Sequence, residues 1–115
     1  LRNKKSINVV NDQISNPVYA LNFSNIILES IIMDLKGIYH YGSSDIVNRY
    51  EFAFNIAKFF NFNTKYIKSI TTDDLKQKVK RPLNTSLDCS KISSHLDCDL
   101  YSTEQSFHKI FNYEL

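Results

Sequence analysis

The sequence predicts an α/β fold, and three observations predict it. Short β-branched runs alternate with segments of helical apolar spacing. The turns between them carry Asn, Asp, Ser and Gly. A 43% hydrophobic content, with eight Phe and seven Tyr in 115 residues, supplies apolar surface for one core. No internal repeat, low-complexity tract or Pro/Gly/Ser linker divides the chain, so residues 1–115 read as a single domain.

Ser6–Val10 is the first strand, ending in the polar run Asn11-Asp12-Gln13. Asn16-Pro17 predicts a helix start, with Asn as N-cap and Pro at the first helical position, where its missing N–H costs nothing. Tyr19, Phe23, Ile26, Ile27 and Ile31 recur at helical spacing, and Leu28, Ile32 and Leu35 widen the stripe, so a heavily buried helix is expected. Gly37 is expected as the left-handed residue past its end. Gly37–Tyr41 reads as a second strand, closed by Gly42-Ser43-Ser44-Asp45.

Asn48 and Glu51 have the spacing of a capping box, with an amide in place of the usual hydroxyl. The helix behind them sets Phe52, Ala53, Ile56, Ala57 and Phe60 on one side, and Arg49 and Glu51 read as a structural pair. Tyr66–Ile70 is a third strand. Thr72 is expected to cap a short helix with Asp73 and Asp74 in its first turn, where carboxylates meet the positive end of the helix dipole. Lys76 and Lys80 would then share a solvated helix face. Ser102 with Gln105 marks a last helix, with Phe107, Ile110 and Phe111 as its apolar side.

Charge and motif content exclude several functions. Fourteen basic against twelve acidic side chains leave a net charge of +2, too little for an extended nucleic-acid contact. Apolar runs such as Ile26–Leu28 and Ile31–Met33 are broken by Glu29, Ser30 and Asp34, far short of a membrane span. No secretion signal is visible, and Cys89 and Cys98 are too sparse for a disulfide framework, so a reduced, cytoplasmic setting is expected. The first residue, Leu1, suggests a piece of something longer. Gly37 and Gly42 cannot supply a dinucleotide fingerprint or a P-loop, in which backbone must approach phosphate unobstructed, so no cofactor is expected on this chain alone.

Cys89, His95 and Cys98, with Asp88, Asp97 and Asp99 nearby, have ligand chemistry but no close-spaced zinc pair, and no metal site is expected. His40 follows a strand, yet no nucleophile stands at a motif distance, so no catalytic residue is assigned. Arg81 differs from its lysine neighbours because its planar fork can hold a phosphate bidentately, and Pro82 fixes the backbone directly after it. A nucleotide diphosphate is the ligand this chemistry suits.

Five ordered segments then resemble one family. They are Val9-Val10-Asn11-Asp12-Gln13, Pro17-Val18-Tyr19-Ala20, Gly37-Ile38-Tyr39-His40, Arg49-Tyr50-Glu51-Phe52-Ala53, and Lys80-Arg81-Pro82-Leu83-Asn84-Thr85-Ser86-Leu87-Asp88 with Lys91. Their order and gaps resemble the C-terminal, substrate-binding part of the dTDP-4-dehydrorhamnose reductases, extended short-chain dehydrogenase/reductases with a Rossmann core. The sequence departs from the family's usual pattern at Val18, where Thr is usual, at Asn22-Phe23-Ser24, where Asp-Leu-Ala is usual, and at Thr85, where Ser is usual.

The resemblance implies a sugar-nucleotide lobe whose N-terminal Rossmann domain, with most of the Rossmann core, lies outside these residues. In such enzymes that missing part binds NADPH or NADH and carries a catalytic Tyr-x-x-x-Lys. None of the seven tyrosines here is followed by Lys at the fourth position, so the chain alone is expected to be inactive. The implied partner is a dTDP-sugar. Its binding residues are expected to be Arg81 at the diphosphate, Asn84 ordering the Arg81 loop, and Gln13 and Tyr19 lining the cleft. For Asn84 and Asp88, loop and cap hydrogen bonding stands beside that reading. The resemblance further implies that Gly37–Tyr41 joins the large sheet. Without that sheet, an exposed edge would favour self-association, as in a homodimer. A non-catalytic module, as in the regulatory β subunit of methionine adenosyltransferase, and the lobe of a nucleotide-sugar epimerase or dehydratase are the alternatives.

Overall fold

In chain order the elements are β1 (Ile7–Val10), β2 (Ile14–Ser15), α1 (Ala20–Ile32), β3 (Val47–Asn48), α2 (Arg49–Phe59), β4 (Ile67–Ile70), α3 (Ser90–Leu96) and α4 (Thr103–Tyr113). The structure, a computed structural model, describes Leu1, residues 5–96 and residues 98–113. It divides into two compact units, the first made of Leu1–Ser15 with Ile46–Thr85 and the second of Asn16–Asp45 with Ser86–Leu115.

In the first unit β1 pairs with β4 in parallel, from Ile7 opposite Ile67 to Val10 opposite Ile70. Parallel neighbours need a crossover, and α2 supplies it, packing on both strands. Val10, Ile67 and Ala57 are buried between them. The capping box at the start of α2 is present: the Asn48 side chain accepts from the Glu51 N–H at 2.8 Å, and Glu51 Oε2 accepts from the Asn48 N–H at 3.2 Å. Phe52, Ala53, Ile56, Ala57 and Phe60 are all buried or half-buried, as their spacing predicts. Asn61 ends the helix at φ 57, in the left-handed position usually held by glycine. The Phe62 N–H then reaches back to the Ala57 carbonyl at 2.7 Å. Tyr66 closes a 3-10 turn over Thr64–Tyr66, so β4 begins one residue later than the sequence predicts. β2 and β3 pair antiparallel, with Ile14 opposite Asn48 and Ser15 opposite Val47.

The helix expected after Thr72 does not form. Thr72 gives its N–H and hydroxyl proton to the Asp12 carboxylate, at 2.9 and 2.7 Å, and its Oγ1, the acceptor a cap would use, instead accepts from Gln13 Nε2 at 3.0 Å. Thr71 pairs with Asp74 instead, at 2.9 Å from its N–H and 2.8 Å from its hydroxyl, and a turn results. Lys76 sits in that turn at φ 47, so Lys76 and Lys80 share no helix face.

In the second unit α1 starts at Ala20, later than the Asn16-Pro17 signal predicts, and Tyr19 occupies the N-cap without a side-chain cap bond. The Asn16 amide is committed elsewhere. It donates to the Leu87 carbonyl and accepts from the Leu87 N–H, each at 3.0 Å, replacing a pair of backbone bonds. Gly42 lets this amide approach, since a Cβ there would lie 2.5 Å from Asn16 Nδ2. α1 ends at Ile32 because Asp34, at φ 52, takes the left-handed position expected of Gly37. The Leu35 N–H then bonds the Ser30 carbonyl at 3.0 Å.

The apolar stripe of α1 is not heavily buried. Ile26 alone is buried, packed with Cys89 and Ile92 of the α3 region, whereas Ile31 and Ile32 are 69% and 73% exposed. A stripe is buried only where another element covers it, and the described residues of this unit cover one edge of it. Gly37–Tyr41 likewise forms no strand, having no ladder partner among the described residues. It is tethered instead by Lys91, whose Nζ donates to the Ile38 carbonyl at 2.9 Å and lies 4.0 Å above the Tyr39 ring.

α3, a helix not predicted from the sequence, begins where Asp88 Oδ1 accepts from the Ser90 N–H at 2.9 Å. The α4 start matches its signal, with the Ser102 N–H on Gln105 Oε1 at 2.7 Å and the Gln105 N–H on Ser102 Oγ at 3.2 Å. Asp45 adds two bonds to Thr103, at 2.8 and 2.6 Å. Among the described residues no helix is long and apolar enough to cross a membrane.

Candidate functional site

The polar end of β1 is built by a three-residue relay within the first unit. Thr72 Oγ1 donates to Asp12 at 2.7 Å and accepts from Gln13 Nε2 at 3.0 Å. Gln13 is buried, so this single placement fixes where its amide points. The Thr72 N–H and then its hydroxyl hold the Asp12 carboxyl below its usual value, so the carboxylate stays an acceptor and keeps the relay directed one way.

Gln13 and its backbone neighbours gather two arginines. The Arg49 N–H donates to the Gln13 carbonyl at 3.1 Å, which sets the first residue of α2 beside the end of β1. The segment after Arg81 is pinned on the other side of β2: the Ile14 N–H bonds the Leu83 carbonyl at 2.7 Å, and the Thr85 N–H and hydroxyl bond the Ile14 carbonyl at 3.0 and 3.2 Å. Thr85 thus spends its hydroxyl on backbone, and Asn84 forms a parallel bridge with Ile14.

Two hollows open here. One, of about 260 Å³, is lined by Asn8, Val9, Val10, Gln13, Arg49, Leu75, Gln77 and Arg81. The other, of about 80 Å³, is lined by Gln13, Ile14, Ser15, Arg49, Arg81, Pro82 and Thr85. Gln13, Arg49 and Arg81 belong to both. None of these lining residues is a carboxylate, a histidine or a cysteine. The hollows therefore offer donors and positive charge but no group that exchanges a proton near neutral pH. Such an arrangement can hold an anion; it cannot perform acid–base chemistry on one.

The structure thus brings Gln13 and Arg81 together and keeps Asn84 beside them, outside the lining. Tyr19 belongs to the second unit and lines neither hollow. Arg49 lines both hollows although the sequence alone does not place it at the site. It was expected to pair with Glu51, but the Glu51 carboxylate is engaged by the Asn48 N–H, and no Arg49–Glu51 ion pair exists among the described residues.

The second unit has a larger hollow, about 630 Å³, lined by the uncovered side of α1 (Phe23, Ile26, Ile27, Ile31) with Leu35, Tyr39, Tyr41 and Ile92. Its cation, Lys36, is ion-paired with Asp34. Burial above all, then the neighbouring Cys98, Tyr101 and Cys89, pushes the Tyr41 hydroxyl up to about 12, so it stays protonated. This wall is apolar and suits a protein surface better than a diphosphate. His40 lies on its rim, exposed. Cys89 is buried, which pushes its thiol up and makes it a poor nucleophile, and His95 Nδ1 lies 2.8 Å from the Lys91 carbonyl. Asp97, which the sequence sets near these residues, lies outside the described residues.

A dinucleotide-binding fold seats its cofactor's pyrophosphate on a glycine turn that leads from a strand into a helix, and among the described residues neither Gly37 nor Gly42 makes one. α1 is entered through Pro17-Val18-Tyr19, and the first turn of α2 is closed by its own capping box.

Comparison with known proteins decides the family. The sequence model of the RmlD substrate binding domain matches residues 1–114. This chain belongs to that family. Within the RmlD substrate-binding domain family, the chain is 33% identical over 102 residues to dTDP-4-dehydrorhamnose reductase from Aggregatibacter actinomycetemcomitans, covering 79% of this chain and 35% of that protein. It is 38% identical over 58 residues to methionine adenosyltransferase 2 subunit beta from Xenopus laevis, covering 50% of this chain and 17% of that one. The crystal structure of dTDP-4-dehydrorhamnose reductase from Bacillus anthracis in complex with NADP matches with a TM-score of 0.89 at 22% identity, over 97% of this chain and 40% of that chain. The α/β fold is therefore one that this chain shares with part of that structure, and the RmlD-like chain spans well under half the length of each relative.

Proposed function

We propose that this chain is the sugar-nucleotide-binding portion of a reductase that reduces the 4-keto group of a dTDP-linked deoxysugar with NADPH or NADH. The observation that carries this reading is the pair of hollows holding Gln13 and Arg81, positively charged and free of carboxylates. The relative named as a dTDP-4-dehydrorhamnose reductase supports the substrate class.

The contribution of these residues is to position the substrate. Arg81 presents a planar fork of donors to the diphosphate. Gln13, held by Thr72, offers the rest of its amide to the nucleotide or sugar. Asn84 orders the segment behind Arg81. Fixing a substrate in reacting geometry supplies a large share of a rate enhancement without any proton transfer. The hydride donor is held by residues outside this chain. Accordingly the pure chain should bind dTDP and leave NADPH unoxidised with every keto-sugar offered. Turnover by the 115-residue protein, or failure to bind dTDP, would overturn the reading.

A second reading, a non-catalytic module that acts through protein contact, is favoured by the 38% identity to the methionine adenosyltransferase subunit and by the uncovered α1 face. It predicts tight protein association and no dTDP affinity.

A further inference from the structure

The first unit holds a second cation that the function just described does not use. Arg49 lines both hollows with Arg81. Among the described residues neither guanidinium has an ion pair, and the carboxylate nearest Arg49 in sequence, Glu51, is engaged by the Asn48 N–H. The backbone of Arg49 is anchored by the Gln13 carbonyl and by the capped start of α2, so the base of its side chain is fixed while its fork remains available.

Two forks on one hollow change what it can hold. A single guanidinium satisfies one phosphate group bidentately. Two guanidiniums, with no carboxylate to neutralise either, match two adjoining phosphate groups, each with its own negative charge. We propose that Arg49 is a substrate-binding residue which, with Arg81, makes this hollow selective for a diphosphate over a single phosphate. The inference rests on the reading of the chain as a sugar-nucleotide-binding domain, and it assigns that reading's diphosphate to a pair of residues.

The test is a titration of the chain, and of its Arg49→Ala, Arg49→Lys and Arg81→Ala variants, with dTDP, dTMP, thymidine and inorganic pyrophosphate. Arg49→Ala should weaken dTDP and pyrophosphate by about ten-fold or more while changing thymidine little, since each charge-assisted contact removed is among the strong hydrogen bonds. Preference for dTDP over dTMP should shrink in the same variant. Arg49→Lys should recover part of the loss, restoring charge without the fork. Because the Arg49 side chain is exposed, an unchanged amide NMR spectrum away from the site shows that the variant is folded. If Arg49→Ala binds dTDP within two-fold of the parent while Arg81→Ala does not, the inference is wrong and the sugar-nucleotide reading stands. If pyrophosphate is held by both arginines but dTDP is no tighter, the paired seat stands and the thymidine nucleotide reading falls. If the parent chain binds none of the probes, both fall.

Discussion

Thr72 gives both its backbone N–H and its hydroxyl to the single carboxylate of Asp12, at 2.9 and 2.7 Å, across a sequence separation of sixty residues. This contact ties the end of β1 to the turn after β4, and through Gln13 it reaches the candidate site. Replacing Thr72 by Val keeps the N–H and the shape but removes the hydroxyl. We expect a loss of about 0.5–1.5 kcal/mol in stability and weaker dTDP binding through the released Gln13. Denaturation and titration of the same variant check both.

The same contact fixes a pH dependence. The Asp12 carboxyl is held below its ordinary 3.8 by Thr72, so its contribution to stability is fully present above that value and disappears as pH falls through the lower folded value. Asp12→Asn should therefore be less stable than the parent at neutral pH, with the difference narrowing in acid. A difference in denaturation midpoint that stays constant from neutral pH to well below 3.8 would contradict the contact.

Asn16 and Gly42 form the equivalent point in the second unit. Asn16→Ala removes two bonds to the exposed Leu87 backbone, whose groups water can then reach, and should cost about 0.5–1.5 kcal/mol. Gly42→Ala should cost about 1–3 kcal/mol, since the new methyl would lie 2.6 Å from Asn16 Cγ. The two losses should add to less than their sum, as both act on one contact. A double-mutant cycle by thermal denaturation measures this.

The uncovered face of α1 predicts association. With Ile31 and Ile32 mostly exposed beside an apolar hollow, the chain should self-associate as its concentration rises. The double variant Ile31→Lys, Ile32→Lys should reduce association and shift stability by no more than about 0.5 kcal/mol. Sedimentation of the two proteins side by side checks the expectation, and a parent that stays monomeric at high concentration would contradict it.

The elements were most legible where a signal is local. Asn48 with Glu51 and Ser102 with Gln105 each marked a helix start, because a capping box is written in four residues. Thr72 misleads for the opposite reason: its hydroxyl is held between Asp12 and Gln13, and no local pattern reveals competitors so distant in sequence. Asn16 was diverted by Leu87 in the same way. Gly37–Tyr41 and the α1 stripe have strand and core character in composition, yet burial depends on a partner that the described residues do not provide. At the candidate site, Arg81 stood out by its bidentate chemistry and its neighbour Pro82. Arg49 did not, since it stands two residues from Glu51 and reads as that carboxylate's ion-pair partner, although the capping box written in the same four residues already engages Glu51.

Titrating the isotopically labelled chain with dTDP and following its amide and side-chain resonances puts the sugar-nucleotide site to direct trial. Saturable shifts centred on Gln13, Arg49 and Arg81 are predicted. No shifts, or shifts confined to Phe23, Ile27 and Tyr41 around the apolar hollow, would contradict the assignment.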